Sequence, residues 1–425
     1  MRACLPSGRA PLRCAILALA LVISVPGIHA ADSPSLALVG AKVYPSPTAQ
    51  AVDDAVVVIE NGKIAAVGKR GQVTIPKSAQ VIDCKGKTIA AGFWNSHVHF
   101  TEDAWSDAAK APVERLEQHM QQMLTGWGFT TVFDIGSFPG DTLALRKRIE
   151  SGEVPGPKIY TTAGAIYPEN GIPVYIPHEI AVRITRFEAA TPADAARLAL
   201  EELGLGGDGI KLFTGAIMGQ GKVQPMPTEV ARAAVEVAHA QGKPVFAHPS
   251  NHVGTDNALA AGVDVLAHTI PEVDSFTPQE LAQMKAQHTA LIPTLTLWEV
   301  ELEKHHASAE EERQFVQAGV NELKSYFDQG GTILFGTDVG YTQHYDTKEE
   351  YVLMAKSGMT WRDILASLTT HPARFFKAGA TGEVVKGDAA DLVVLDGDPA
   401  ADVANFAKVE YTLRGGKVIY RKMPQ

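Results

Sequence analysis

The sequence has little cysteine, no cluster of basic residues and almost no long apolar run, and each lack excludes something. Three cysteines, Cys4, Cys14 and Cys84, stand in 425 residues, too few for a disulfide framework. Lys and Arg number 38 against 48 Asp and Glu, for a net charge of −10. An acidic chain without basic clusters argues against nucleic acid or an anionic membrane as a partner. No Gly-x-Gly-x-x-Gly follows the first strand pattern, which counts against a doubly wound dinucleotide-binding sheet. No internal repeat or low-complexity segment is present. Beyond the N-terminus no stretch is long and apolar enough for a membrane helix.

The one apolar run is terminal. Arg2, Arg9 and Arg13 precede Cys14–Val25, and Ile28-His29-Ala30 offers a small residue before a cut at Ala31. That pattern reads as a cleaved signal peptide over residues 1–30, too short to anchor the chain. The expectation is an exported protein, periplasmic or secreted. The cut removes Cys4 and Cys14, so Cys84 has no partner and stability must come from the core.

From Leu36 to Ala90 short alternating strands dominate, with a hairpin signal at Glu60-Asn61-Gly62-Lys63. The same character returns at Asp391–Leu395 and Tyr411–Leu413. The chain between alternates apolar strands with amphipathic helices, and Thr191-Pro192, Thr277-Pro278 and Thr360 are helix starts with an acid three residues after the cap. Strands end near His97, Phe133, Thr161, Leu212, His248, His268, Pro293 and Thr337. Eight such units predict an α/β fold: a (β/α)8 barrel over residues 91–379, with a small β-sandwich formed by residues 31–90 and 380–425.

Five polar signatures sit at the ends of those strands. His97 and His99 alternate with Val98, so both imidazoles face one way. Alone the pair is weak. Lys211 alternates with Ile210 and Leu212, which places it inside the barrel, where desolvation lowers an ammonium pKa. A neutral lysine can take up carbon dioxide as a carbamate that bridges two cations; the alternative is a structural ion pair. His248 and His268 end successive strands one βα unit apart, and Asp338 ends the last. Each alone is more often a core histidine or a turn aspartate. Together at one barrel mouth they read as ligands for two divalent metal ions. The charges are coherent, since a carbamate, Asp338 and a bridging hydroxide offset three of four positive charges. Asp338 is then the catalytic residue, taking a proton from the water and returning it to the leaving amine. Zinc is the default, although Mn, Co or Fe suit the same ligands.

These residues, with the closing Gly387-Asp388-Ala389-Ala390-Asp391-Leu392-Val393-Val394-Leu395, resemble the metal-dependent amidohydrolase superfamily over nearly the whole mature chain. The resemblance implies that His97, His99 and Asp338 bind one metal, that His248 and His268 bind the other, and that carboxylated Lys211 bridges them. Within the superfamily the chain is similar to the imidazolonepropionase and prolidase-like branch, and the strand-four lysine favours the two-metal, prolidase-like side. One departure is Asn95, where many members carry an aspartate; it can orient a ligand but adds no charge.

The substrate expected is a small molecule, a dipeptide or N-acyl amino acid with a free carboxylate. Tyr175 and Arg183, in a long segment after strand three, and Tyr341 and His344, after Asp338, are the candidate substrate contacts, with Trp298 as a wall or a packing residue. The Gly215–Gly221 stretch reads as flexible backbone near the metals. His305 and His306, among Glu301, Glu303 and Glu310–Glu312, read as a solvated helix face. A one-metal hydrolase or deaminase of a cyclic amide is the rival enzyme, and a non-catalytic ligand-binding barrel the rival of another class. A homo-oligomer is left open.

Overall fold

The computed structural model describes residues 35–270 and 275–423; the expected signal peptide lies outside them. Both chain regions of alternating strands join in one eight-stranded sheet. Leu36–Val43 pairs antiparallel with Val52–Glu60, which turns through Asn61 (φ 51°) and Gly62 (φ 74°) into Lys63–Lys69. Two successive left-handed residues are what a two-residue hairpin of this hand requires, and Asn-Gly supplies them. On the other flank Thr88–Ala91 pairs antiparallel with Leu392–Leu395, which continues to Val409–Arg414 and Lys417–Arg421. Strand periodicity sorts the faces. Leu36, Leu38 and Val57 join one buried cluster, Ala37, Val39 and Val56 another.

The rest is a parallel barrel. Phe93–Val98, Phe129–Asp134 and Lys158–Thr161 form one run, and Ile210–Phe213, Val245–His248, Val265–Ala267 and Ala290–Ile292 another. Ile166 stitches the runs together by bonding Lys211 O and Phe213 N. The eighth expected strand, ending at Thr337, is not a regular strand. Leu334 N bonds Leu291 O on one side and Ser96 N bonds Phe335 O on the other. The reason is a close approach: a side chain at Gly336 would come within 2.8 Å of His97 Cβ. A few further backbone bonds, Leu291 N to Thr332 O on the first side and Asp338 N to His97 O on the second, close the circle. Helices start where expected, with capping boxes at Thr191, Thr277 and Thr360.

Inside the barrel Phe133, Phe246, Leu334 and Ile292 form a buried apolar plug with Tyr160 and Phe376. Phe133 meets Phe246 at 4.7 Å between ring centres. Barrels of this kind keep their active sites at the C-terminal mouth, where the expected ligands end their strands. Cys84 is buried in the sheet, and burial pushes its thiol up to about 12, which keeps it inert.

Candidate metal centre

Strand alternation aims the polar side chains inward. Val98, Ile210 and Leu212 pack into the outer core between barrel and helices, leaving His97, His99, Lys211 and Phe213 to face the interior. All six expected ligands, His97, His99, Lys211, His248, His268 and Asp338, line one cavity of about 380 Å³.

Three ligand atoms nearly touch. His97 Nε2 and His99 Nε2 are 3.1 Å apart, and Asp338 Oδ1 lies 3.1 Å from the first and 2.9 Å from the second. Yet Asp338 Oδ1 makes no hydrogen bond of acceptable geometry, and His97 Nδ1 is buried without a partner. His97 Nε2, His99 Nε2 and Asp338 Oδ1 thus face one another in a small triangle. Bonds of roughly 2.0–2.1 Å to one cation put neighbouring ligand atoms about 3 Å apart, which is the spacing found. His97, His268 and Asp338 also form a compact group, with ligand atoms all within 4.8 Å. The triangle formed by the two imidazole nitrogens and the orphaned Asp338 Oδ1 fits a divalent cation.

Surrounding hydrogen bonds orient the rings. His99 Nδ1 sits 2.6 Å from Gly136 O, a contact only an N–H can make, so its Nε2 carries the lone pair. His268 Nδ1 is 2.7 Å from the Thr294 hydroxyl, which donates its own proton to Pro293 O at 2.8 Å. His268 Nε2 is therefore also free. His248 stacks on Phe213 at 4.7 Å and meets His268 edge-on at 4.8 Å. The backbone is unusual here: His268, Thr294 and Asp338 have φ of 77°, 44° and 59°. Left-handed geometry at a β-branched threonine is costly and is held only by its surroundings. Gly340 (φ 99°) is obligatory for a second reason: a Cβ there would lie 1.8 Å from His99 O.

Charge states follow from burial. Desolvation pushes His97 down to about 3, against the pull of Asp338, and holds His248 and His268 well below the usual imidazole value. These rings are neutral and available as ligands. Burial opposes a proton on His99, but Asp338 and Asp134 outweigh it and raise that ring. Burial also works against ionised Asp338, yet His97 and His99 beside it hold its carboxyl well below the carboxylate range. Lys211, 1% exposed, is pushed down to about 7 by desolvation, with Asp338 opposing. The ion-pair alternative finds no support, because Lys211 forms no salt bridge among the described residues.

Asn95 turns away from any ligand role. Its amide donates to Thr337 Oγ1 at 2.7 Å, and its carbonyl accepts from Thr337 N and His97 N, each at 3.2 Å. It pins the first strand to the closing seam.

Above this floor the walls are apolar, with Ile135, Phe138, Ile180, Phe187 and Phe315 among them. Tyr175 and Tyr341 line the cavity edge-to-face at 5.3 Å. Trp298 both lines it and is buried, its indole N–H on Thr269 Oγ1 at 2.8 Å. His344 is exposed and does not line the cavity, because the chain turns outward after Tyr341. Arg183 lies on the helix His178–Ile184, but its side chain is outside the described part. Arg186 is exposed and paired with Glu201 at 2.8 Å, so it is no substrate contact. The Gly215–Gly221 stretch belongs to an antiparallel hairpin, Gly215–Gly219 with Lys222–Pro225, rather than flexible backbone. Glu301 and His305 also line the cavity. Glu301 lies on the helix Thr296–Lys304, with His305 as its C-cap; the many glutamates around them read as a solvated face, whereas Leu297, Trp298, Glu301 and Leu302 share one side that lines the cavity.

A parallel barrel with convergent histidines and a carboxylate at its mouth defines a class of candidate metal-binding barrels, and comparison fixes the family. Residues 88–419 match the Amidohydrolase family, and the chain belongs to it. An uncharacterized protein of Mycobacterium tuberculosis is 28% identical over 150 residues, 33% of this chain and 38% of that protein, and one of Mycobacterium bovis matches equally. The chain thus spans well under half the length of these curated relatives. Among solved structures, a Xaa-Pro dipeptidase with methionine bound in its active site is 22% identical, with a TM-score of 0.76 over 91% of this chain and 100% of that one. A prolidase complexed with N-methylphosphonate-L-proline is 25% identical over 91% and 100%, TM-score 0.74. The A. niger ochratoxinase is 20% identical over 92% and 96%, TM-score 0.74.

Proposed function

We propose that this protein is a binuclear metal-dependent hydrolase that cleaves an amide bond in a small substrate carrying a bulky apolar group. The observation that carries this reading is the convergence of His97, His99 and Asp338 on one point at the floor of an apolar cavity. His97, His99 and Asp338 would hold one ion, His248 and His268 the other, with carboxylated Lys211 between them. Bound there, divalent ions would acidify a water to near-neutral pKa and polarise the substrate carbonyl.

The chain's own residues do the rest. Asp338, held ionised, accepts the proton given up by the attacking water and delivers it to the leaving nitrogen. Neutral Lys211 is able to form the carbamate, because its amine loses its proton near pH 7. Phe138, Phe187 and Phe315 exclude bulk water and seat the apolar group. Dipeptides are favoured by the prolidase-like neighbours; the apolar walls widen the choice to aromatic amides. The two-metal reading is preferred to the one-metal rival because Lys211 is buried beside the ligands without an ion-pair partner.

The test is hydrolysis of a panel of dipeptides, N-acyl amino acids and aryl amides by protein supplied with zinc and bicarbonate. Metal-dependent release of an amine product is expected, fastest with large apolar side chains. No turnover from protein carrying two metals would overturn the amide assignment.

A further inference from the structure

The cavity keeps its formal charge in two places. One is the floor, with the ligand set and Lys211. The other is Glu301, the only carboxylate besides Asp338 among the described lining residues. Glu301 stands one helical turn after Trp298, on the same face. The Tyr341 hydroxyl lies against its carboxylate, and Tyr341 is within electrostatic reach of both Glu301 and Asp338. A small molecule touching the floor can therefore also touch Glu301.

A carboxylate bordered by aromatic rings is a receptor for an organic ammonium, which gains an ion pair and cation–π contact together. The structure shows one in place. The Lys304 ammonium lies 2.8 Å from Glu301 Oε1 and 4.6 Å over the Tyr341 ring. Its side chain is 48% exposed, and exposed ion pairs of this kind contribute little, so it is easily displaced. No arginine side chain that is described lines the cavity to receive a carboxylate at this end.

We propose that Glu301, with Tyr341, binds a primary ammonium group of the substrate in the place that Lys304 fills in the free protein. The site thereby selects aminoacyl compounds with a free amino group over their N-acylated counterparts. This rests on the hydrolase reading above and narrows its substrate class.

The test uses the metal-loaded full chain at pH 7 and two probes that differ in charge, 2-phenylethylammonium and 2-phenylethanol. Calorimetry on the unmodified protein should give binding about tenfold tighter for the amine. Glu301→Gln should abolish that difference, and Lys304→Met should tighten amine binding by removing the competitor. Equal binding of the two probes by the unmodified protein, a difference that survives Glu301→Gln, or weaker amine binding in Lys304→Met would each overturn the proposal. Metal content and turnover of an N-acylated amide are measured on the same preparations. Protein with metal and turnover but no amine preference refutes the ammonium site alone. Protein with two metals and no turnover of any amide refutes the hydrolase reading.

Discussion

The Thr294 hydroxyl accepts a hydrogen bond from His268 Nδ1 at 2.7 Å while its own proton rests on Pro293 O at 2.8 Å. One hydroxyl thus fixes which nitrogen of His268 carries the lone pair, and it does so from a residue with φ of 44°. Replacing it by Thr294→Val removes the acceptor and keeps the bulk. Metal affinity should fall by roughly 10–100-fold, the usual effect of losing such a partner. Thr294→Ser keeps the hydroxyl and should bind metal as the parent does. Chelator competition on both variants reads the difference.

Lys211→Ala deletes the group assigned as the bridge. Bound metal should drop from two ions to one by elemental analysis, and turnover should fall by more than about 100-fold, since even outer-shell losses reach that range. Propionate, a carboxylate that fits the vacated space, should restore part of both. Full metal content and activity in the variant would remove lysine from the mechanism.

Asn95 makes three buried hydrogen bonds, two of them to Thr337 across the barrel seam. Asn95→Ala should destabilise the protein by about 2 kcal/mol, because His97 N loses its side-chain acceptor and the Thr337 hydroxyl loses its shortest hydrogen bond. Asn95→Asp keeps both acceptors and lets the Thr337 hydroxyl reverse to donate, so it should lose less. Chemical denaturation of the metal-free proteins gives the comparison.

Glu350 ties the helix bearing Trp298 and Glu301 to its neighbour, accepting from Leu295 N, Thr296 N and the Thr296 hydroxyl. Burial pushes its carboxyl from 4.5 up to about 7, although those donors pull the other way. Between these values the folded state binds more protons than the unfolded one, so this group's contribution is full below 4.5 and is lost as pH rises to 7. The span corresponds to about 3 kcal/mol. Melting temperatures from pH 4.5 to 7.5 should therefore decline by a component that is absent in Glu350→Gln. Parallel curves for the two proteins would contradict it.

Much of the fold was legible because periodicity is a local property. The Asn61-Gly62 hairpin, the capping threonines and the inward parity of Lys211 all follow from spacing along a few residues. The cavity's upper wall was not, because burial there is decided by partners distant in sequence. Glu301 looks solvated among its charged neighbours, and only Tyr341, brought in by the turn at Gly340, makes it part of a pocket. His344 shows the reverse: it stands near Asp338 in sequence, yet the same turn sends it outward. Asn95 was recognised as a departure, but its partner Thr337 could not be named before the seam was seen.

Thr88–Ala91 pairs with Leu392–Leu395 in the middle of the sheet, with the entire barrel strung between them. During synthesis the early strand waits, its edge unpaired, until the chain has passed every residue of the metal centre. A chain broken off before Leu392 would carry all six polar side chains and still lack the neighbour that finishes the sheet. The late strand therefore acts as a check on the barrel before it, because the sheet is finished only once Leu392–Leu395 has arrived.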